Sequence, residues 1–185
     1  MTRHILSRRP PLPPRIFILQ DLVLRTGLKP RTLQVWGDVG VIVPTGIELH
    51  GGRGAARRYT WSELVIALLL TPFANSGTAI GHLVRIAAIL RQALYVRQPG
   101  SAPALFEEGT VELGRVMMRA AAGQGQNFLA VAFNEETIFT AVATDEDGPP
   151  AFDPLALVEG GEGRRPRFGL WIDLSVLAGV FDQRR

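Results

Sequence analysis

From Leu19 to Leu70, apolar spacing, glycines and prolines together permit little besides two short helices, a hairpin and a third helix. Leu19, Leu22, Val23 and Thr26 recur at i, i+3, i+4 and i+7, the inward stripe of a short helix. Gly27 supplies the turn. Pro30 falls in the first turn of a second helix, where its missing N–H costs nothing. Leu33 and Trp36 form that helix's inward stripe and Gly40 ends it. After Pro44 comes a loop, Gly46 to Ala56, then Arg57-Arg58-Tyr59, and Thr60 with Glu63 has the spacing of a capping box opening the third helix. Two short helices, a tight turn and a cationic hairpin form a helix-turn-helix with a wing, an arrangement suited to a DNA groove rather than to catalysis.

The third helix is expected over Trp61 to Leu70, with Pro72 ending it. Its run Leu64 to Leu70 is apolar all round, so another element or a second protomer has to cover what one neighbouring face leaves bare. Thr78 is placed to cap a fourth helix reaching about Arg97, striped by Ile80, Leu83, Ile86, Ala87, Leu90 and Leu94. That stripe either packs on the preceding helices or forms a dimer seam at its far end.

The segment Leu28-Lys29-Pro30-Arg31-Thr32-Leu33-Gln34-Val35-Trp36, continuing to Gly40-Val41-Ile42-Val43-Pro44, resembles the recognition-helix region of the MerR (mercury-resistance regulator) family of winged helix-turn-helix proteins. Arg57-Arg58-Tyr59-Thr60 with Glu63-Leu64 is similar to that family's wing-to-helix segment, and Gly77-Thr78-Ala79-Ile80 to its turn into the fourth helix. The resemblance spans about residues 17 to 95. Gln34-Val35 stands where the family carries Arg-Tyr, which removes one phosphate-pairing charge and one phenol donor, and Lys29 replaces the usual Ser or Thr cap. Gly51, Gly52 and Gly54 around Arg53 make the wing longer and richer in glycine.

The resemblance implies a dimeric, bacterial or phage transcription regulator with two wings and two recognition helices on a pseudo-palindromic duplex. Arg31, Gln34 and Val35 share the outward face of the second helix. Arg31 would take guanine N7/O6 or a phosphate, Gln34 an adenine, and Val35 a thymine methyl. Lys29 and Thr32, near the helix start, would hold backbone where the dipole favours phosphate. Arg53, Arg57 and Arg58 would straddle phosphates of the neighbouring minor groove, while Tyr59 packs inward. Arg25 reads as a solvated residue or a phosphate contact.

Charge is distributed to match. Residues 1 to 100 hold 13 Arg or Lys against 4 Asp or Glu, and residues 101 to 185 hold 7 against 13, so a front at +9 precedes a rear at −6. There is no cysteine, which excludes disulfides and thiolate-bound metals, and His4, His50 and His82 have no ligand-like spacing, so no cofactor is expected. No signal peptide or membrane span is evident, which points by default to the cytoplasm.

The expected fold class is α+β. Residues 1–15 form a basic, proline-rich arm that touches DNA backbone, offers a Pro-x-x-Pro ligand or lies idle. Residues 16–97 form the winged helix-turn-helix domain, 98–103 a linker, and 104–185 a small α+β module with a short antiparallel sheet. In that module Thr110 to Ala122 reads as a helix with Val111, Val116, Met117 and Ala120 inward. Phe128 to Phe133 and Thr137 to Ala143 read as a hairpin and Phe168 to Ile172 as a third strand. A last short helix follows, capped by Asp173 or Ser175, with Leu174, Leu177, Val180 and Phe181 inward. The module would dimerise, bind an effector, or contact RNA polymerase or another protein.

No catalytic set is evident. Glu107-Glu108, Glu135-Glu136 and Asp145-Glu146-Asp147 lie in turns without an acid–base partner, and Gly160 to Arg165 lacks the ending of a phosphate loop. The expectation is a DNA-binding protein and not an enzyme. The alternatives are an excisionase-like architectural DNA binder and a winged domain turned to protein binding.

Overall fold

The computed structural model describes residues 16–45, 57–96, 108–133, 138–144 and 168–178. They form an α+β chain of helices with two small antiparallel sheets. Strand β1 (Ile16–Ile18) leads into α1 (Leu19–Thr26), which turns into α2 (Pro30–Val39). Gly27 makes that turn at φ 70°, in the left-handed region that glycine enters without a Cβ clash. Its N–H donates to the Val23 carbonyl. Pro30 occupies the first turn of α2, Leu33 and Trp36 are buried, and Gly40 closes the helix.

Strand β2 (Arg58–Thr60) pairs antiparallel with β1 in the register Ile16↔Thr60, Phe17↔Tyr59, Ile18↔Arg58. On its other side Thr45 bridges Arg58, with the Thr45 N–H donating to the Arg58 carbonyl at 2.7 Å. Residues 46–56, with Arg53 and His50, lie outside the described residues, as do the arm 1–15 and the linker 98–103.

Helix α3 runs Trp61–Asn75, through Pro72 and not up to it as expected. A proline inside a helix forfeits one backbone hydrogen bond. Here Phe73, fully buried, draws the next turn into the core, and the chain stays helical until Ser76. The Leu64–Leu70 run is covered within one chain: α1, β1 and β2 on one side, α4 (Ile80–Val96) on another, and β5 with the final turn from the rear. Helix α4 starts at Ile80, so Thr78 sits before the cap position and its hydroxyl pairs with Ser76 instead. Leu83, Ile86, Ala87, Leu90 and Leu94 are buried, but Ile80, expected in the stripe, is exposed.

Helix α5 (Glu108–Ala121) packs on α4, and its Leu113, Val116, Met117 and Ala120 face the core. The far end of the α4 stripe therefore meets α5 of the same chain. The rear sheet has the order β4-β3-β5, with β3 (Asn127–Phe133) central between β4 (Ile138–Thr144) and β5 (Phe168–Asp173), all antiparallel. Leu129 and Val131 of β3 and Ile172 of β5 join the core beside α5. The last helix is a single 3-10 turn, Leu174–Leu177, in which the Asp173 carboxylate accepts the Ser175 N–H at 2.9 Å. Leu174 and Leu177 are buried; Val180 and Phe181 lie outside the described residues. One cluster of buried side chains runs from Phe17 to Leu177. Among the described residues no helix is long and apolar enough to cross a membrane.

Candidate nucleic-acid interface

Helix α2 owes its two faces to its spacing. Leu33 and Trp36 are pulled inward, which leaves Arg31 and Gln34 exposed on the opposite side and Val35 half-buried at its edge. Lys29 is exposed immediately before the helix, and Thr32 is half-buried in its first turn. Asp38 lies seven residues beyond Arg31, hence about 20° around the axis and about 10 Å along it. It belongs to the same exposed face, between the azimuths of Arg31 and Gln34.

Arg57, just before β2, is exposed, and within the strand Arg58 is exposed and Tyr59 buried, the alternation of a half-buried strand. Tyr59 is 0% exposed and anchors β2 against the core. Burial pushes its phenol up from the ordinary 10.0, although the neighbouring Arg57 charge pulls the other way. Among the described residues its hydroxyl makes no hydrogen bond.

Arg57 reaches across to α2, where its Nη2 donates to Asp38 Oδ1 at 2.6 Å. That hydrogen bond is the main cause holding the Arg57 guanidinium charge above its usual value. The crossing is possible because residue 37 has no side chain. A Cβ there would stand 2.8 Å from Arg57 Nη1 and 3.3 Å from the Tyr59 hydroxyl. A glycine inside a helix costs about 0.5–1 kcal/mol relative to alanine, and the close approach of β2 is its structural reason.

The exposed face of α2 that carries Arg31, Gln34 and Asp38 thus receives Arg57 from the residue before β2, and Arg58, the next residue, is exposed as well. Among the described residues no carboxylate pairs with Lys29, Arg31 or Arg58. Arg53 lies outside the described residues. Arg25 stacks over the Phe17 ring at 5.7 Å from its centroid, a cation–π contact on β1.

The expected capping box does not form. The Thr60 hydroxyl pairs with Ser62, and the carboxylate of Glu63 turns away from the helix end. Glu63 Oε2 accepts the Val43 N–H at 2.8 Å, and both its oxygens take the Arg91 guanidinium, at 2.8 and 2.9 Å. Arg91 Nη2 also donates to the Val41 carbonyl at 3.1 Å. A bidentate pair satisfies a buried carboxylate better than one backbone N–H at a cap. It also ties the stretch after α2, at Val41 and Val43, onto α3 and α4.

Sequence reasoning missed Asp38, Gly37 and Arg91. Asp38 carried a signal, being spaced i+4 from Gln34 and i+7 from Arg31. Arg91 carried none, since its partner is 28 residues away. Comparison with protein-family models finds no match, and comparison with curated protein sequences finds none either.

Proposed function

We propose that this protein is a DNA-binding transcriptional regulator of the MerR-like winged helix-turn-helix kind. Helix α2 enters the major groove, with Arg31 on guanine or phosphate, Gln34 on adenine and the exposed part of Val35 against a thymine methyl. Lys29 and Thr32 hold backbone at the start of α2, and Arg57 and Arg58, with Arg53, grip the phosphates alongside. Two copies acting on a two-fold site would place their α2 helices about 34 Å apart, one turn of the duplex. The rear module supplies the dimer contact, an effector site or the surface for RNA polymerase.

The observation that carries this reading is that the Arg57–Asp38 pair brings Arg57 onto the exposed face of α2 that carries Arg31 and Gln34. The test is binding to genomic fragments titrated with salt. Each phosphate neutralised contributes a slope of about −0.9 in log affinity against log salt. A steep slope with a short footprint is expected; absent or salt-insensitive binding refutes the proposal. That second outcome belongs to the protein-binding reading, which the carboxylate of Asp38 and the exposed Val39 next to it favour.

A further inference from the structure

We propose that Asp38 is a specificity-determining residue of this surface, which withholds Arg57 from non-cognate DNA and releases it on the cognate site. The inference rests on the DNA-binding reading above. A carboxylate in the middle of a face that meets phosphates is repulsive by itself. Here it is neutralised by Arg57, at 2.6 Å, with both side chains about half exposed. An exposed ion pair of this kind is weak enough for a phosphate to displace it. The pair has a built seat: Gly37 leaves the space through which the Arg57 guanidinium lies against α2, at some loss of helix propensity.

On a random duplex α2 docks loosely. Arg57 then stays on Asp38, and one backbone contact is missing. On the cognate site α2 seats fully and a phosphate takes Arg57. The freed carboxylate then needs a donor, and the cytosine N4 amine is the major-groove group it fits. Elsewhere, releasing Arg57 would leave the carboxylate facing phosphates unpaired, so the pair stays closed. Asp38 therefore lowers affinity for all duplexes except those offering that donor, which is discrimination by penalty as much as by attraction.

The test uses the full chain, a labelled duplex of random sequence and a pool from which preferred sites are selected. Asp38→Asn keeps the shape and removes the charge. It is expected to bind the random duplex roughly 1.5- to fivefold tighter, the range of an exposed pair. One further phosphate contact should cost it about 3.5-fold more affinity than wild type between 50 and 200 mM salt. The added salt dependence should vanish when Arg57→Ala is added, and selection should lose preference at one cytosine. Gly37→Ala, whose methyl displaces the guanidinium, should steepen the salt dependence in the same way.

If wild type binds with a clear salt slope but neither Asp38→Asn nor Gly37→Ala alters it, Asp38 does not withhold Arg57 and this inference fails while the DNA reading stands. It fails in the same way if Asp38→Asn steepens the salt dependence equally with and without Arg57. If wild type and Asp38→Asn both leave duplex DNA unbound at 50 mM salt, both proposals fall together.

Discussion

Removing the Glu63 carboxylate should be among the most damaging single changes outside the apolar core. Its side chain is 6% exposed and accepts from the Val43 N–H and twice from Arg91. Glu63→Ala strips the guanidinium of its partner and leaves the Val43 N–H without an acceptor. Breaking a buried pair from one side costs about 3–5 kcal/mol. Arg91 keeps 31% exposure, so water recovers part of its charge and the low end of that range applies. Val43 is 44% exposed, so water also reaches its orphaned N–H and that loss adds less than about 1 kcal/mol. A total near 3–4 kcal/mol is a large share of the roughly 5–15 kcal/mol that holds a domain together. In urea, with a slope of about 2 kcal/mol/M, the midpoint should fall by about 1.5–2 M. Glu63→Gln retains one acceptor and should lose roughly half as much. In an Arg91→Met background the effect of Glu63→Ala should shrink, because the stranded charge is gone. A midpoint shift below about 0.5 M for Glu63→Ala would refute the clamp as described.

Arg57→Ala should weaken DNA binding on all sequences alike and reduce the salt slope by about 1, whereas Gln34→Ala should relax preference at one base step; anisotropy titrations on a cognate and a random duplex separate the two. Tyr59 gives a pH signature. Its phenol is raised above 10.0 in the folded chain, so stability is intact below pH 10.0 and falls as the pH rises past that value. Tyr59→Phe should flatten the alkaline limb of midpoint against pH, and an unchanged limb would remove Tyr59 from the account. Gly27→Ala forces an alanine to φ 70° and should cost about 1–2 kcal/mol by urea unfolding even though nothing lies near its Cβ.

What was legible in the chain was whatever local rules control. The α1–turn–α2 unit follows from the Gly27, Pro30 and Gly40 positions, because a left-handed turn, a first-turn proline and a helix stop are decided within a few residues. The three rear strands follow from their run of β-branched and aromatic residues. Local rules failed where distant partners override them. Pro72 reads as a stop, but the buried Phe73 carries the helix past it. Thr60 and Glu63 have capping-box spacing, but Arg91 takes the carboxylate. Strand β1 is three residues long, too short for alternation to register, and exists because β2 pairs with it. At the candidate site Arg31, Gln34 and Arg57 were legible as exposed cations and an amide on predicted elements. The Asp38–Arg57 contact was not, since it depends on the Arg57 side chain reaching α2 at the place Gly37 leaves open.

The way α3 is wrapped has a mechanical consequence. Its apolar circumference is sealed partly by β5 and the Leu174–Leu177 turn, which come from the far end of the chain. A fragment cut after the fourth helix would bare that flank to water and tend to clump. The front half therefore depends on the rear segments for the cover of its third helix. A change that loosens the rear sheet therefore strains α3, which carries Glu63, and through it the strut to Arg91 and Val43.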